Sequence, residues 1–129
     1  MASHFQAGRL VIFGLRAEDV PTAVHFYQDV IGLRLLPHHD HPPAFDLGGG
    51  TYLAIVKGPP APEQEAGEPP FPVVTFAVED LDRAVQHLQA HNVELSADVV
   101  AGKQERWVMF RDPAGNLVEF VQFDGPLQG

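Results

Sequence analysis

Glu119 is the residue whose setting most invites chemistry. It stands alone among Leu117, Val118, Phe120 and Val121. If this stretch is a strand, side chains alternate, so Leu117, Glu119 and Val121 share one face while Val118 and Phe120 share the other. A carboxylate in such a strand needs a cation, a hydrogen-bond donor or water beside it. Four roles fit: a metal ligand, a general base, a contact for a cationic ligand, or one half of an ion pair. Arg16, in an apolar stretch near the other end of the chain, is the candidate partner, since a guanidinium–carboxylate pair would satisfy both groups.

Other side chains offer weaker signals. Tyr52 shares a strand face with Ala54, and serves either as a ligand contact or as plain packing. Trp107 is either a pocket wall or core. His38, His39, Asp40 and His41 have the composition of a metal site, but consecutive residues point to different sides of the backbone, so a solvated loop is the default reading. His25 and His87 sit on helices beside apolar positions, which suits the edge of a core. No Ser–His–Asp order is present, and Gly48-Gly49-Gly50 precedes a strand rather than a helix, so it makes no phosphate loop.

The elements that would position these residues follow from pattern. Arg9 to Ala17 alternates, with Val11, Phe13 and Leu15 on one face and Ile12, Gly14 and Arg16 on the other. Asp19 is placed to cap a helix and Pro21 is tolerated in its first turn. Val20, Val24, Tyr27 and Ile31 repeat along one helix side, and Gly32 is a C-terminal stop. Leu33 to Pro37 reads as a second strand. Ala44 to Leu47 and Thr51 to Val56 flank the three glycines as a hairpin. Gly58 to Pro70, with five prolines, two glycines and three glutamates, reads as a linker or surface loop. Val74, Phe76 and Val78 then alternate with Val73, Thr75 and Ala77. Asp80 caps a second helix with Leu81, Ala84, Val85 and Leu88 on its apolar side. Strand-like pieces follow near Val93 to Leu95, Arg106 to Phe110 and Leu117 to Phe123. Between the last two, Asp112-Pro113-Ala114-Gly115 has the preferences of a type I turn.

Composition narrows the function. The chain's 129 residues amount to one domain with room for a core, and 45% hydrophobic against 19% charged residues is an ordinary globular mix. Eight Lys and Arg against 17 Asp and Glu give a net charge of −9, which argues against nucleic acid or an anionic membrane as partner. The absence of cysteine excludes disulfides, thiolate metal sites and cysteine nucleophiles. The first residues lack the charged and apolar regions of a signal peptide and no apolar run is long enough to span a membrane, so the expected setting is cytoplasmic.

The two halves repeat. Glu18 to Gln28 lies over Glu79 to Gln89 at a constant offset of 61, with Glu, Asp, Ala, Val and Gln coinciding. Each half reads as strand, helix, three strands. A half of that size buries too little surface to stand alone, so both are expected in one domain: module one about 9–57, the linker 58–70, and module two about 71–124.

These residues resemble the vicinal oxygen chelate superfamily, which includes glyoxalase I, extradiol dioxygenases and bleomycin-resistance proteins. The likeness rests on Glu18-Asp19-Val20 leading to His25 through Leu33, and more specifically on Phe110 through Phe120 around the Asp-Pro-Ala-Gly turn. It implies an α+β fold of two tandem βαβββ modules forming an eight-stranded curled sheet, a cup, with helices outside. It also implies a homodimer. Family metalloenzymes place ligands on the first strand of each module and on the last strand of one or both. The matching positions are Ile12, Val73, Ala54 and Glu119, and three of these four cannot coordinate a metal. The expectation is therefore a small-molecule-binding protein with no metal or other cofactor, using Glu119, Arg16, Tyr52 and Trp107 in the cup. The alternative is a metal-dependent lyase, isomerase or dioxygenase of the same superfamily.

Overall fold

Alternation in Ile12–Ala17 makes the first strand, β1, with Leu15 and Ala17 buried and Ile12, Gly14 and Arg16 exposed. The computed structural model describes residues 5–37, 42–59 and 74–124, and residues 9–11 lead into β1 without strand structure. His38, His39, Asp40, His41, Val73 and most of the linker lie outside the described residues.

Asp19 caps helix α1 (Val20–His25), its carboxylate accepting from the Thr22 amide at 3.1 Å and the Thr22 hydroxyl at 2.8 Å. Those two bonds, the hydroxyl's first, hold the Asp19 carboxyl below its ordinary pKa. The helix then widens into a π-helical stretch, Phe26–Ile31, which turns the successive rings of Phe26 and Tyr27 inward together. Gly32 ends it at φ 87°, a left-handed position suited to glycine. Three strands complete the first module: β2 (Arg34–Leu35), β3 (Ala44–Asp46) and β4 (Tyr52–Lys57). The second strand is thus shorter than the pattern of Leu33 to Pro37 suggests. Gly48, Gly49 and Gly50 all take positive φ in the β3–β4 turn, and the Asp46 carboxylate accepts from the Gly48 amide at 2.8 Å.

The second module repeats the order: β5 (Val74–Ala77), α2 (Leu81–Ala90), β6 (Val100–Ala101), β7 (Glu105–Arg111) and β8 (Leu117–Phe123). Asp80 caps α2 by accepting from the Arg83 amide at 3.2 Å. One expected element moves. Val93 to Leu95 is not a strand but makes a lone bridge from Leu95 to Phe110, while Val100 and Ala101 pair with Trp107 and Arg106 as β6. Val93 remains tied to the end of α2, its amide donating to the Leu88 carbonyl at 2.9 Å, so only the end of this segment, from Leu95, touches β7.

The eight strands divide into two four-stranded mixed sheets of identical order, β1-β4-β3-β2 and β5-β8-β7-β6. In each, the first strand runs parallel to the last, and the remaining pairs are antiparallel. The α+β class and the twofold βαβββ repeat are as expected. Each helix covers one face of its own sheet, α1 against β4 and α2 against β8. A row of six rings links the modules: Phe45, Tyr27, Phe26, Phe110, Phe120 and Phe76, with successive centroids 6.1, 5.3, 6.4, 4.9 and 6.5 Å apart. Leu15, Leu53, Ile55, Leu81, Leu88, Val108 and Val118 join them, so the helix-covered sides of both sheets form one core. The other sheet faces turn away from it.

Candidate functional site

The outward face of the first sheet is set by parallel register. Ile12 lies beside Tyr52, Gly14 beside Ala54, and Arg16 beside Val56. Ile12 and Val56 are exposed at 58% and 39%, a considerable apolar surface for strands of a monomer. Arg16 is exposed and lays the stem of its side chain over Gly58. Tyr52 shares this face with Ala54 as the alternation requires.

On the second sheet the outward face carries Thr75 and Ala77 from β5, Leu117, Glu119 and Val121 from β8, and Trp107, Met109 and Arg111 from β7. Thr75 lies beside Glu119, Met109 opposite Glu119, and Trp107 opposite Val121. That register, which sequence pattern left open, puts Trp107 on the Glu119 face. Leu117 and Val121 are each 6% exposed yet stand outside the main core cluster, so they form a second apolar surface around the carboxylate. Glu119 is half-buried and, among the described residues, accepts one hydrogen bond, from the Thr75 hydroxyl at 3.3 Å.

The structure does not bring Glu119 and Arg16 together. Among the described residues the ion pairs are Arg34–Asp46 at 3.5 Å and Arg106–Asp82 at 3.4 Å, and His25 Nδ1 lies 2.8 Å from the Asp29 carboxylate. Arg16 and Glu119 belong to different sheets whose outward faces both turn from the shared core. The expected intramolecular pair is thus corrected: the four residues divide as Arg16 and Tyr52 on one sheet, Glu119 and Trp107 on the other.

A polar cluster that the sequence reading passed over lies at the junction of the modules. The buried Tyr27 phenol donates to Asp112 Oδ2 at 2.7 Å. Asp112 Oδ1 accepts from the amides of Ala114 and Asn116 at 3.0 and 2.8 Å, and Oδ2 also accepts from Asn116 Nδ2 at 3.0 Å. Asn116 Nδ2 further donates to the Arg16 carbonyl on β1 at 2.9 Å. Burial first, and then the Asp112 charge and hydrogen bond, push the Tyr27 pKa well above the ordinary phenol value, so the group is a fixed donor. With all four hydrogen bonds made within the chain and 5% exposure, Asp112 is a clamp rather than a reactive group. The signal for it was the turn motif itself, in which Asp commonly bonds backbone ahead of it.

A cleft of about 640 Å³ lies beside this clamp, lined by Phe26, Asn92, Leu95, Arg111 and Pro113 among others. His87 is exposed rather than at the edge of the core, its Nε2 2.7 Å from the Val30 carbonyl and its ring 4.5 Å from that of His91. No helix among the described residues is long and apolar enough to cross a membrane.

The sequence profile of the Glyoxalase/Bleomycin resistance protein/Dioxygenase superfamily matches residues 8–120, spanning both modules and the clamp. The chain belongs to that superfamily. The Escherichia coli (strain K12) protein YaeR is 28% identical over 115 residues, which cover 82% of this chain and 89% of YaeR. Lactoylglutathione lyase from Agrobacterium tumefaciens shares the fold at a TM-score of 0.69 and 22% identity, covering 90% of this chain and 94% of the lyase. TnmS3, an antibiotic binding protein from Streptomyces sp. CB03234, does so at a TM-score of 0.69 and 23% identity, covering 93% and 99%. At such identities the two structures establish the fold alone.

The superfamily's metal positions can be compared with the donors present. Ile12 and Ala54 on the first sheet are hydrocarbon, Glu119 supplies the one carboxylate, and Val73 lies outside the described residues. Among the described residues no three His, Asp or Glu side chains gather as a metal site. One carboxylate flanked by Thr75, Met109 and Leu117 does not fit a divalent ion, which takes three or more protein ligands in catalytic zinc sites and more oxygens for harder ions.

Proposed function

We propose that this superfamily member binds a small organic molecule on its outward sheet faces without a metal centre. The observation that carries the reading is the setting of Glu119. A half-buried carboxylate occupies the superfamily's ligand position on an apolar face, while hydrocarbon stands at Ile12 and Ala54. A lone carboxylate among Trp107, Met109, Leu117 and Val121 suits recognition, where a few polar groups orient a ligand against an apolar wall. That an antibiotic binding protein shares the fold is consistent with this use.

The exposed Ile12 and Val56, with Leu10 and Val11 leading into them, support a homodimer in which a second copy covers the first sheet. Sedimentation at micromolar concentration tests this, and a monomer would refute it.

The binding reading is tested by a thermal-shift screen of small organic molecules in excess chelator. Stabilising ligands found while metal is sequestered support it, and stabilisation or turnover seen only after adding Mn or Fe contradicts it. The rival, a metal-dependent lyase, isomerase or dioxygenase, is favoured by the lactoylglutathione lyase fold match and by the retained Glu119.

A further inference from the structure

We infer that the second sheet takes the ammonium group of an organic amine on Glu119, with the amine's apolar or aromatic body lying over Met109 and Trp107. This inference rests on the small-molecule reading above and names its ligand class. Glu119 accepts a single hydrogen bond among the described residues, and at 3.3 Å from the Thr75 hydroxyl it is long for an O–H···O contact. A carboxylate has about four acceptor sites, so most of its capacity stays open.

The neighbours leave that capacity for a cation from outside the chain. Met109 and Thr75 flank Glu119 across the strands, and Leu117 and Val121 flank it along β8. Arg111, two positions along the same face, gives Nη1 to the Gly115 carbonyl at 2.7 Å. Arg106 turns to Asp82 and Gln122, and Arg16 lies on the other sheet. An apolar surround strengthens a charge-assisted N–H···O bond and makes a neutral ligand unrewarding, because the carboxylate would lose water without gaining a partner. An anion would meet both Glu119 and a net charge of −9.

Trp107 completes the case. It pairs with Val121 and so stands diagonal to Glu119, at the distance of roughly 7–8 Å that long and aromatic side chains bridge. An ammonium group between them bonds the carboxylate and faces the indole, which attracts cations.

Trp107 is also the chain's single tryptophan, so its fluorescence reports this face directly. The experiment titrates the intact protein with phenethylamine, phenethyl alcohol and phenylacetate. Phenethylamine should bind roughly 10-fold more tightly than the alcohol, and phenylacetate more weakly than either. Glu119→Gln should abolish the amine's advantage over the alcohol, and circular dichroism of the variant verifies that it is folded. If the alcohol or phenylacetate binds as tightly as the amine, the cation preference is overturned while the binding surface stands. If none of the three perturbs Trp107, the surface itself is refuted. The comparison of the three probes on the unaltered protein decides the matter even if Glu119→Gln fails to fold.

Discussion

The phenol of Tyr27 and the carboxylate of Asp112 meet at 2.7 Å in the interior although 85 positions separate them in the chain. The bond ties the π-helical turn of the first module to the β7–β8 hairpin of the second. Asn116 extends the link to the β1 backbone at Arg16. The hairpin that presents Glu119 is therefore fixed at its turn by the other half of the molecule, and the position of the carboxylate depends on a contact between modules.

Removing either partner should cost stability unequally. Tyr27→Phe deletes one hydrogen bond to a charged acceptor and should destabilise by about 1.5–3 kcal/mol. Asp112→Ala leaves the Tyr27 hydroxyl and the Ala114 and Asn116 amides without their acceptor, and should cost about 3 kcal/mol or more. Urea unfolding of the two variants measures both, and equal losses would refute the clamp.

The same bond has a signature in alkali. The folded Tyr27 pKa lies above that of the unfolded chain, so the unfolded state loses its proton first as pH rises. Stability from this group is complete below about pH 10, the ordinary phenol value, and declines above it by about 1.4 kcal/mol per pH unit. Tyr27→Phe should remove that share of the slope from about pH 10 to the alkaline limit of the assay. An unchanged slope would place the phenol in contact with solvent.

Because Arg16 and Glu119 lie on separate outward faces, their effects on monomer stability should be independent. Arg16→Met and Glu119→Gln should each change the unfolding free energy by less than about 0.5 kcal/mol, and the double variant should equal their sum within a similar margin. A double-mutant cycle by urea unfolding checks this at concentrations where the protein is monomeric. A coupling energy near that of a buried ion pair would show the two side chains to be partners.

The contrast between what sequence pattern foretells and what it misses follows the range of the interactions. The caps at Asp19 and Asp80, the stop at Gly32 and the turn at Asp112 to Gly115 are set by neighbours within a few residues, and the structure has each of them. Strand faces were also legible, since Ile12, Gly14 and Arg16 turn outward as alternation requires. Val93 to Leu95 misled because apolar alternation cannot tell how far a segment pairs with β7: Val93 is tied to α2, Leu95 makes a lone bridge, and Val100 and Ala101 form the paired strand. The Arg16–Glu119 pair failed for a related reason. Pattern gave the face of each residue but not how the two sheets sit, which depends on Phe26 reaching Phe110 across the modules. The π-helical turn that aims Phe26 there has no local sequence signal of its own.

The central claim is that Glu119 serves a binding surface without a metal. Elemental analysis of untagged protein after exhaustive dialysis tests it most directly. The account predicts well under one equivalent of Ni, Zn, Fe or Mn per chain. One equivalent that survives dialysis and disappears in Glu119→Ala would contradict it.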